Sequence, residues 1–345
     1  MTQQPLHIFE KIAYKPFSPK VGIARGSKII TRSGVVLFSR YWTPASIYSG
    51  LNIRIRALFV LVASLVTRKL VAMPKDQQFG IVHSTWTAGY YHWLTESLPR
   101  ALAIHEAYPK ATILLPSEKY RPYAETLRCL GIGNIAFFPE GANVRIEAPI
   151  LSECPRKFAT TSPALLKKVR NTILENGALS ASHPPDKIVY ISRRKARGRF
   201  IQNEEALEAM LAEFGTESVC LEDFSFTEQV SLMQRTRLLI SIHGAGLTNM
   251  MFMQEGGTVM EILPRKNGIF DYKMSRNTSL RNACLHDACY VRLAEALSQE
   301  YHYVEADPDN KWYSGTHMAN LKVELGSLKK TMENLILKKS GLHEQ

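Results

Sequence analysis

The chain has 345 residues, of which 45% are hydrophobic and 21% are charged. This length predicts one very large domain or two ordinary ones, and the composition allows a sizeable core and excludes wholesale disorder. Lysine and arginine number 43 against 31 acidic residues, and the net charge of +12 favours an anionic partner, such as a nucleotide, a nucleic acid, an acidic glycan or an anionic lipid surface.

The cysteines and the apolar segments of the sequence indicate in which cellular compartment the protein is located. The five cysteines contain no CxxC pair, so they favour free thiols in a reducing compartment over a zinc ribbon, with a bridge between Cys284 and Cys289 as an alternative. No secretory signal opens the chain, because Met1–Lys15 lacks an apolar core region. The run Ala57–Val66 is shorter than the about 20 residues of a membrane-spanning helix and predicts a buried strand or helix, with docking on an anionic membrane as the alternative. We therefore expect a cytoplasmic protein.

The first half of the chain becomes regular near Phe79, after short strand-like pieces such as Gly34–Trp42. Strands are expected at 79–84, 111–116 and 135–139, and helices at 90–106, 121–130 and 162–177. Pro99 must kink the first of these helices or break it in two. Alternating strands and helices are typical of a parallel α/β sheet.

A small, polar, proline-containing linker, Gly177–Asp186, follows these elements. We place a domain boundary there, which gives an N-terminal α/β domain over 1–178 and a C-terminal domain over 179–345. The second half predicts strands at 187–192, 217–221, 237–242 and 258–263. Its helices are expected after Asn203 as the cap, with Gly215 at the end, after the capping box of Ser225 and Glu228, and from about Leu247.

A glycine loop, His243-Gly244-Ala245-Gly246, joins the buried strand 237–242 to the last of these helices. Strand, glycine loop, helix and strand in this order form a Rossmann-like unit. Glycines let backbone N–H groups approach a ligand closely, and a helix N-terminus favours a phosphate. The alternative is a tight packing turn with a core histidine.

A basic loop directly follows the strand 187–192. Arginine forks bind phosphate through two hydrogen bonds, and aromatic residues stand only at the edges of the loop, so a diphosphate is favoured over stacked bases. A solvated loop of charges is the alternative. The five cations lie within seven residues, and the first and last of them are the best phosphate candidates: Arg193, Arg194, Lys195, Arg197 and Arg199.

Acidic and histidine side chains suggest two further roles. Glu261 lies on the strand after the glycine helix, where a carboxylate can accept both ribose hydroxyls; a salt-bridged strand residue is the alternative. His92 and Glu96 share one face of a predicted helix, and either can act as a general base, unless Glu96 simply pairs with Arg100. No HExxH, GxSxG or Walker motif is present, and no third ligand joins His83 and His92, so no metal site is predicted.

Three segments, Tyr90–Leu102, Val189–Leu207 and Leu239–Pro264, together resemble glycosyltransferase family 61 over about Phe79 to Tyr290. HGAGLTN, followed by a glycine turn and a V-x-E-I strand, is the most specific part. The resemblance implies a GT-B-like α/β fold, with two Rossmann-like domains and a cleft between them. It also implies an inverting transferase that uses a nucleotide sugar, usually UDP-linked, without an essential metal or another cofactor.

The resemblance also assigns residues. His92 and Glu96 match the family's His-x-x-x-acid pattern in the acceptor-side domain, and we expect Glu96 to deprotonate the acceptor hydroxyl while His92 positions or assists it. Without a metal, cations would neutralise the leaving diphosphate. The donor nucleotide would be held by Arg193, Arg199, His243, Gly244, Ala245, Gly246, Asn249 and Glu261.

The acceptor follows from the type of member that the chain resembles. Without the secretory anchor of the eukaryotic members, it looks like the bacterial type, which is associated with capsule, lipopolysaccharide and other surface polysaccharides. The acceptor would be a glycan, and a lipid-linked one would bring the protein to the inner face of a membrane. Two other hypotheses stay open: a catalytically inactive GT-B-fold scaffold, with Glu96 buried against Arg100, and a nucleic-acid-binding protein, which we rank last.

Overall fold

The computed structural model describes residues 18–32, 62–84, 86–116, 121–153, 161–180, 183–196, 198–265, 289–309 and 319–339. They fall into two compact units: the residues up to Leu179 together with Cys289, and those from Ser180 on apart from Cys289. Both units combine helices with sheets that contain parallel strands, so the α/β class is confirmed. Gly34–Trp42, Cys154, Cys284 and Arg197 lie outside the described residues.

The first unit contains two sheets. One is made of β1 (Val21–Ile23), β4 (Phe79–Ile81), β5 (Thr112–Leu115), β6 (Ile135–Phe137) and β8 (Ile150–Ser152), in the order β1-β8-β4-β5-β6. The other places β7 (Ala142–Glu147) between β2 (Ser27–Ile30) and β3 (Lys69–Ala72). Strand β1 runs antiparallel to β8 and β2 antiparallel to β7, and the other neighbours are parallel. Buried side chains of both sheets, such as Ile81 and Val144, share one core.

The helices of the first unit follow the predicted positions. They are α1 (Tyr90–His92), which continues through a π-helix (Trp93–Ser97) into α2 (Leu98–Ala107), α3 (Arg121–Cys129) and α4 (Pro163–Asn176). The hydroxyl of Ser162 accepts from the amide of Leu165 at the start of α4, and Gly177 ends it, as predicted.

Pro99 does not break the first helical stretch. It stands in the first turn of α2, where the N–H that proline lacks is least needed. The disturbance appears one turn earlier, as the wider π turn in which the amide of Leu98 donates to the carbonyl of Trp93. The carbonyl of Thr95, four residues before the proline, accepts from the hydroxyl of Thr161 at 2.5 Å. The predicted kink or break is therefore a π turn.

The second unit contains one six-stranded sheet. Its strands are β9 (Lys187–Ile191), β10 (Thr216–Val219), β11 (Thr236–Ile242), β12 (Thr258–Pro264), β13 (Glu300–Pro308) and β14 (Leu321–Lys322), in the order β10-β9-β11-β12-β13-β14. All neighbours are parallel except β13 and β14. The first five strands thus have the doubly wound order 2-1-3-4-5, with a switch point between β9 and β11, where such sheets bind ligands at their carboxyl ends.

The helices of the second unit are α5 (Glu204–Ala212), α6 (Phe226–Gln234), α7 (Cys289–Ala296) and α8 (Leu325–Lys339), together with 3-10 helices at Leu221–Asp223 and Ala245–Phe252. The capping box of Ser225 and Glu228 is present, and Gly215 follows α5 with φ of 70°. Asn203 precedes α5, but its side chain makes no capping bond and instead exchanges two hydrogen bonds with the backbone of Val323.

The run Ala57–Val66 enters the described part of the chain only at Val62. Residues 62–67 are helical, and Val62, Leu65 and Val66 are 49%, 39% and 79% exposed. The prediction that this run is buried is therefore wrong for its described end. None of the helices in the described ranges is both long and apolar enough to span a bilayer. Cys129 and Cys220 are free thiols.

Candidate functional site

The loops after β9 and β11 meet at the carboxyl edge of the second sheet, at its switch point. The two strands are parallel neighbours with Ile191 opposite Ser241, so Arg193 and His243 each follow a strand end closely. Arg199 returns to the same place, because its Nη1 donates to the carbonyl of His243 at 3.2 Å. The structure thus brings together residues that the sequence offered in two separate motifs.

Arg193 and Arg199 are half-buried, and neither forms an ion pair with any carboxylate of the described ranges. Arg193 donates from Nη2 to the carbonyl of Gly198 at 3.2 Å, while its buried Nε has no hydrogen-bond partner among the described residues. Burial, and then the charge of Arg199, lowers the pKa of Arg193, and burial lowers the pKa of Arg199. Two partly desolvated cations with an unused donor favour an anion between them.

The neighbouring cations of the basic loop are neutralised within the protein. Arg194 forms an ion pair with Glu208, and Lys195 forms one with Asp223. Arg193 therefore differs from the two cations that follow it in the sequence, because each of those two is paired with a carboxylate.

Arg199 is held in a strained backbone conformation. Its φ of 64° lies in the left-handed region, which costs a non-glycine residue roughly 1–2 kcal/mol. The adjoining residue, Phe200, is fixed by the C-terminal segment: its amide donates to Oδ1 of Asn320 at 2.9 Å, and its carbonyl accepts from the amide of Leu321 at 2.9 Å. These bonds preorganise the guanidinium beside His243, as strained residues at binding sites often are.

Gly244 and Gly246 are needed for packing inside the protein. A Cβ on Gly244 would lie 2.5 Å from Nη1 of Arg193, so the arginine fills the space that the missing side chain leaves. A Cβ on Gly246 would lie 3.2 Å from Leu221 and 3.3 Å from Ile191. At Gly244 the space of the missing side chain is thus taken by a cation of the basic loop, and close approach of the backbone N–H groups to a ligand stays a prediction.

His243 is oriented by a buried carboxylate. Its Nδ1 donates to Oε1 of Glu261 at 2.5 Å, and the hydroxyl of Tyr301 donates to Oε2 of the same residue at 2.5 Å. Glu261 is 0% exposed, and its position on β12 is opposite Ser241 of β11. With both oxygens occupied by protein donors, Glu261 acts on His243 rather than on the ribose hydroxyls that the sequence suggested. The arrangement fixes the imidazole with Nδ1 protonated and its ring plane set.

The 3-10 helix Ala245–Phe252 begins two residues earlier than expected. Ala245 and Gly246 form its first turn after Gly244, and the first turn of a helix leaves backbone N–H groups without an intrahelical acceptor. Asn249 is 0% exposed and donates from Nδ2 to Oε1 of Gln229 in α6 at 3.0 Å. This bond holds the helix on α6, and the donor contact that the resemblance implied for Asn249 stays a prediction.

Tyr290 and Tyr301 belong to this site and had no signal in the sequence. The hydroxyl of Tyr290 donates to the carbonyl of Gly244 at 2.6 Å, and its ring lies 5.1 Å from the ring of His243. Both tyrosines come from elements after the last recognisable motif, α7 and β13, so only the fold brings them to the glycine loop.

A second candidate site lies in the first unit. Nδ1 of His92 is 3.1 Å from Oε2 of Glu96, and both residues are 9% exposed. The π turn lies within this pair, since it begins at Trp93, and such turns recur at functional sites. A carboxylate at the edge of solvent, steadied by an imidazole, is able to accept a proton.

The surroundings of the pair fix its geometry. Trp86, which is 44% exposed, stacks on the imidazole of His92 with ring centroids 5.8 Å apart at 25°. Arg100 is buried and donates to Oγ and the carbonyl of Ser152 and to the carbonyl of Val82. Arg100 thus joins α2 to the sheet, while the carboxylate of Glu96 lies beside the imidazole of His92.

His83 is a core residue. It is completely buried and lies 3.2 Å from the carbonyl of Thr31 through Nε2. Desolvation lowers the pKa of His83 to about 4. Within the described ranges, no group of three His, Cys, Asp or Glu residues could hold a metal ion.

The family model described as Glycosyltransferase 61 matches residues 90–260, slightly less than half of the chain. This match supports the resemblance to glycosyltransferase family 61. The matched range begins at the first residue of α1, and it contains the His92–Glu96 pair and both arginines at the switch point. The matched range ends within β12, one residue before the buried carboxylate of Glu261.

Curated relatives have names of the same kind. The human "Protein O-linked-mannose beta-1,4-N-acetylglucosaminyltransferase 2" is 40% identical over 73 residues, which are 20% of this chain and 13% of the relative. The Xenopus laevis protein of that name is 41% identical over 80 residues, 22% of this chain and 14% of the relative. The Drosophila melanogaster "EGF domain-specific O-linked N-acetylglucosamine transferase" is 27% identical over 118 residues, 33% of this chain and 22% of the relative. The chain thus spans only a small part of the length of these relatives.

Proposed function

We propose that the chain transfers a sugar from a nucleotide-sugar donor to a glycan acceptor. The observation that carries this proposal is the pair of half-buried arginines, Arg193 and Arg199, at the switch point of a doubly wound sheet. A diphosphate supplies the negative charge and the acceptor oxygens that these two guanidinium groups and the first turn of the 3-10 helix can bind. The family match and the names of the relatives support a sugar nucleotide as the molecule that carries the diphosphate.

The donor side of the reaction requires charge neutralisation. When the bond between the anomeric carbon and the diphosphate oxygen breaks, the electron pair stays on the diphosphate, and its charge increases. Arg193 and Arg199 provide fixed positive charge and donors at that point, which is the largest contribution that such sites usually make. Glu261 keeps the imidazole in place. We propose a UDP-linked donor, and N-acetylglucosamine as its sugar because the relatives are named for that sugar.

The acceptor side requires a base. In the proposed step, the carboxylate of Glu96 takes the proton of an acceptor hydroxyl as the hydroxyl oxygen attacks the anomeric carbon. Attack from the face opposite the diphosphate inverts the anomeric configuration. Nδ1 of His92 lies 3.1 Å from one oxygen of this carboxylate, and its role in the proposal is to position that oxygen. Inversion, independence of a metal ion and the GT-B-like arrangement of two Rossmann-like domains stay predictions of this proposal.

The identity of the acceptor is the least constrained part of the proposal. The relatives are named for acceptors on proteins, O-linked mannose and EGF domains, so they lend no support to capsule or lipopolysaccharide as the product. A glycan acceptor is common to both possibilities and is what we propose. Lipid linkage of the acceptor, contact with a membrane surface and a cytoplasmic location stay predictions.

A nucleotide-binding experiment tests the donor half. Thermal unfolding of the wild type should shift upward with UDP, and a ligand at 100 times its dissociation constant should stabilise by about 2.7 kcal/mol. The shift should be lost in Arg193→Ala and kept in Arg194→Ala, a matched control that removes the same charge from the same loop but acts on a side chain paired with Glu208. GDP, CMP and ADP run in parallel identify the base.

The outcome separates the classes of function. A shift with another nucleotide would keep the transferase and change the donor. No shift with any nucleotide, or equal losses in both variants, would contradict a diphosphate site at Arg193. If UDP binds but UDP-N-acetylglucosamine is neither transferred to any glycan nor hydrolysed, the inactive-scaffold alternative would replace the enzyme.

A further inference from the structure

Trp86 is the one aromatic residue among the large hydrophobic side chains that the described ranges leave exposed; 44% of its surface faces solvent. The other members of this group are aliphatic: Ile23, Val62, Leu65, Val66, Leu70 and Leu337. An indole ring that stays in water gains nothing from burial, and exposed aromatic surface often marks a binding site.

The backbone that carries Trp86 is tightly held. Its amide donates to Oγ of Ser84 at 3.3 Å, and its carbonyl accepts from the amide of Gly89 at 2.8 Å. The next residue, Thr87, is 0% exposed, and its hydroxyl lies 2.9 Å from that of Ser97 in the π-helix and accepts from the amide of Ser84 at 2.7 Å. The turn is therefore fixed to the helical stretch that contains Glu96.

The indole lies beside the candidate base. Its ring stacks on the imidazole of His92, and Nδ1 of that imidazole is 3.1 Å from the carboxylate of Glu96. The imidazole of His92 is thus the group between the indole and the carboxylate. A ring that lies on the indole beside this imidazole would share the same neighbour as the candidate base.

Pyranose rings have the matching chemistry. Their axial C–H bonds form an apolar face with slight positive charge, which an aromatic face attracts, and their hydroxyl groups point outward from the ring edge. Neither a phosphate nor an extended acyl chain presents both features at once. Anionic ligands are also not favoured, since no lysine or arginine is described in contact with the indole.

We propose that Trp86 is the platform on which a pyranose ring of the acceptor lies while Glu96 takes the proton from one of its hydroxyl groups. The inference rests on the proposed function and deepens it, because it identifies the acceptor group as a sugar ring with a free apolar face. A serine or threonine hydroxyl of a peptide would have no need of such a platform. The side chain acts on acceptor binding, and the donor nucleotide does not depend on it.

The test compares acceptor kinetics in Trp86→Ala, Trp86→Phe and a control, Leu337→Ala, which removes an exposed apolar side chain from α8. UDP-N-acetylglucosamine is the donor, and methyl glycosides of glucose, galactose, mannose and N-acetylglucosamine are the acceptors. We expect KM for the acceptor to rise about tenfold in Trp86→Ala, with kcat within about twofold. Trp86→Phe should keep most of the affinity, and Leu337→Ala should equal the wild type.

Three results would overturn the proposal. One is an unchanged KM in Trp86→Ala; another is a loss of kcat alone, which would mean that the indole only steadies His92. The third is a wild type that binds UDP but neither binds nor modifies any of the four glycosides in calorimetric titration and turnover. Because UDP binding is measured in every variant, this third result is distinct from failure of the donor site, in which UDP itself would not bind.

Discussion

Replacing Gly244 by alanine should weaken nucleotide binding by displacing Arg193. An ideal Cβ at this position would lie 2.5 Å from Nη1 and 3.3 Å from Cζ of the arginine, and real Cβ contacts under 3.0 Å essentially never occur. The guanidinium must therefore move by about 1 Å to reach an ordinary van der Waals distance. The backbone at Gly244 is extended, with φ of 179°, so alanine adds no backbone strain and the effect is one of space alone.

The size of the effect follows from the bonds at risk. A hydrogen bond to a charged group contributes about 1.5–3 kcal/mol, so misplacing the guanidinium should raise the dissociation constant for UDP roughly 10- to 150-fold. Stability should change little, because Arg193 lies half-buried at a loop. A loss of about 1 kcal/mol would lower the melting temperature by about 2–4 °C in a domain of 150–250 residues.

Calorimetric titration with UDP measures the effect, and two further variants test its cause. Gly133→Ala is the control, because a Cβ there meets nothing within 4 Å. In a double-mutant cycle, Gly244→Ala should cost almost nothing when Arg193 is already alanine. If the glycine replacement weakens UDP binding equally in both backgrounds, or leaves the dissociation constant unchanged in the wild type, the reasoning about Arg193 is refuted.

Substitutions at three further residues test other parts of the molecule. Glu96→Gln should lower the turnover rate at least about 100-fold, as for a lost general base, with the dissociation constant for UDP unchanged; a weaker UDP affinity would argue against the assigned role. Glu261→Ala should lower the free energy of unfolding by about 2–4 kcal/mol, because it leaves the buried donors of His243 and Tyr301 without an acceptor, and Glu261→Gln should cost less; equal thermal stability of the two variants would contradict this. Burial lowers the pKa of His83 from 6.5 to about 4, so the folded protein takes up its proton later than the unfolded chain does: stability is intact above about pH 6.5 and falls by about 3 kcal/mol as the pH is lowered to 4. Urea denaturation of His83→Gln should show a correspondingly smaller fall across that range, and parallel curves for the two proteins would exclude this cause.

The order of elements between Lys187 and Leu263 could be predicted because its signals are local. The capping box of Ser225 and Glu228 and the glycine after α5 act within a few residues, and the buried strands are continuous apolar runs. Where a local signal predicted the wrong detail, the residue or its helix forms a hydrogen bond with a residue distant in the sequence. Asn203 stands at the N-cap of α5 but is drawn to Val323, and Pro99 is accommodated with a hydroxyl bond from Thr161 to the π-helix.

The candidate site was predictable in its residues but less so in their roles. Arg193 and Arg194 are chemically the same in sequence, and what separates them is Glu208, which lies in α5. Glu261 looked suited to a ribose, but its register on β12 and a tyrosine from β13 turn its carboxylate inward. Roles of this kind depend on which strands become neighbours, and periodicity within one segment carries no information about that.

The C-terminal segment limits how far this protein can be truncated. The family match stops at residue 260, inside β12, yet β13 pairs with that strand along seven residues, and β14 forms hydrogen bonds that hold the residue next to Arg199. Leu328 and Met332 of α8 lie in the same apolar core as Ile240 and Met260. A fragment trimmed to the matched range would have a bare parallel edge, an open core and an unanchored arginine loop, and it would aggregate rather than bind. A shortened protein made to test donor binding should therefore keep β13, β14 and α8.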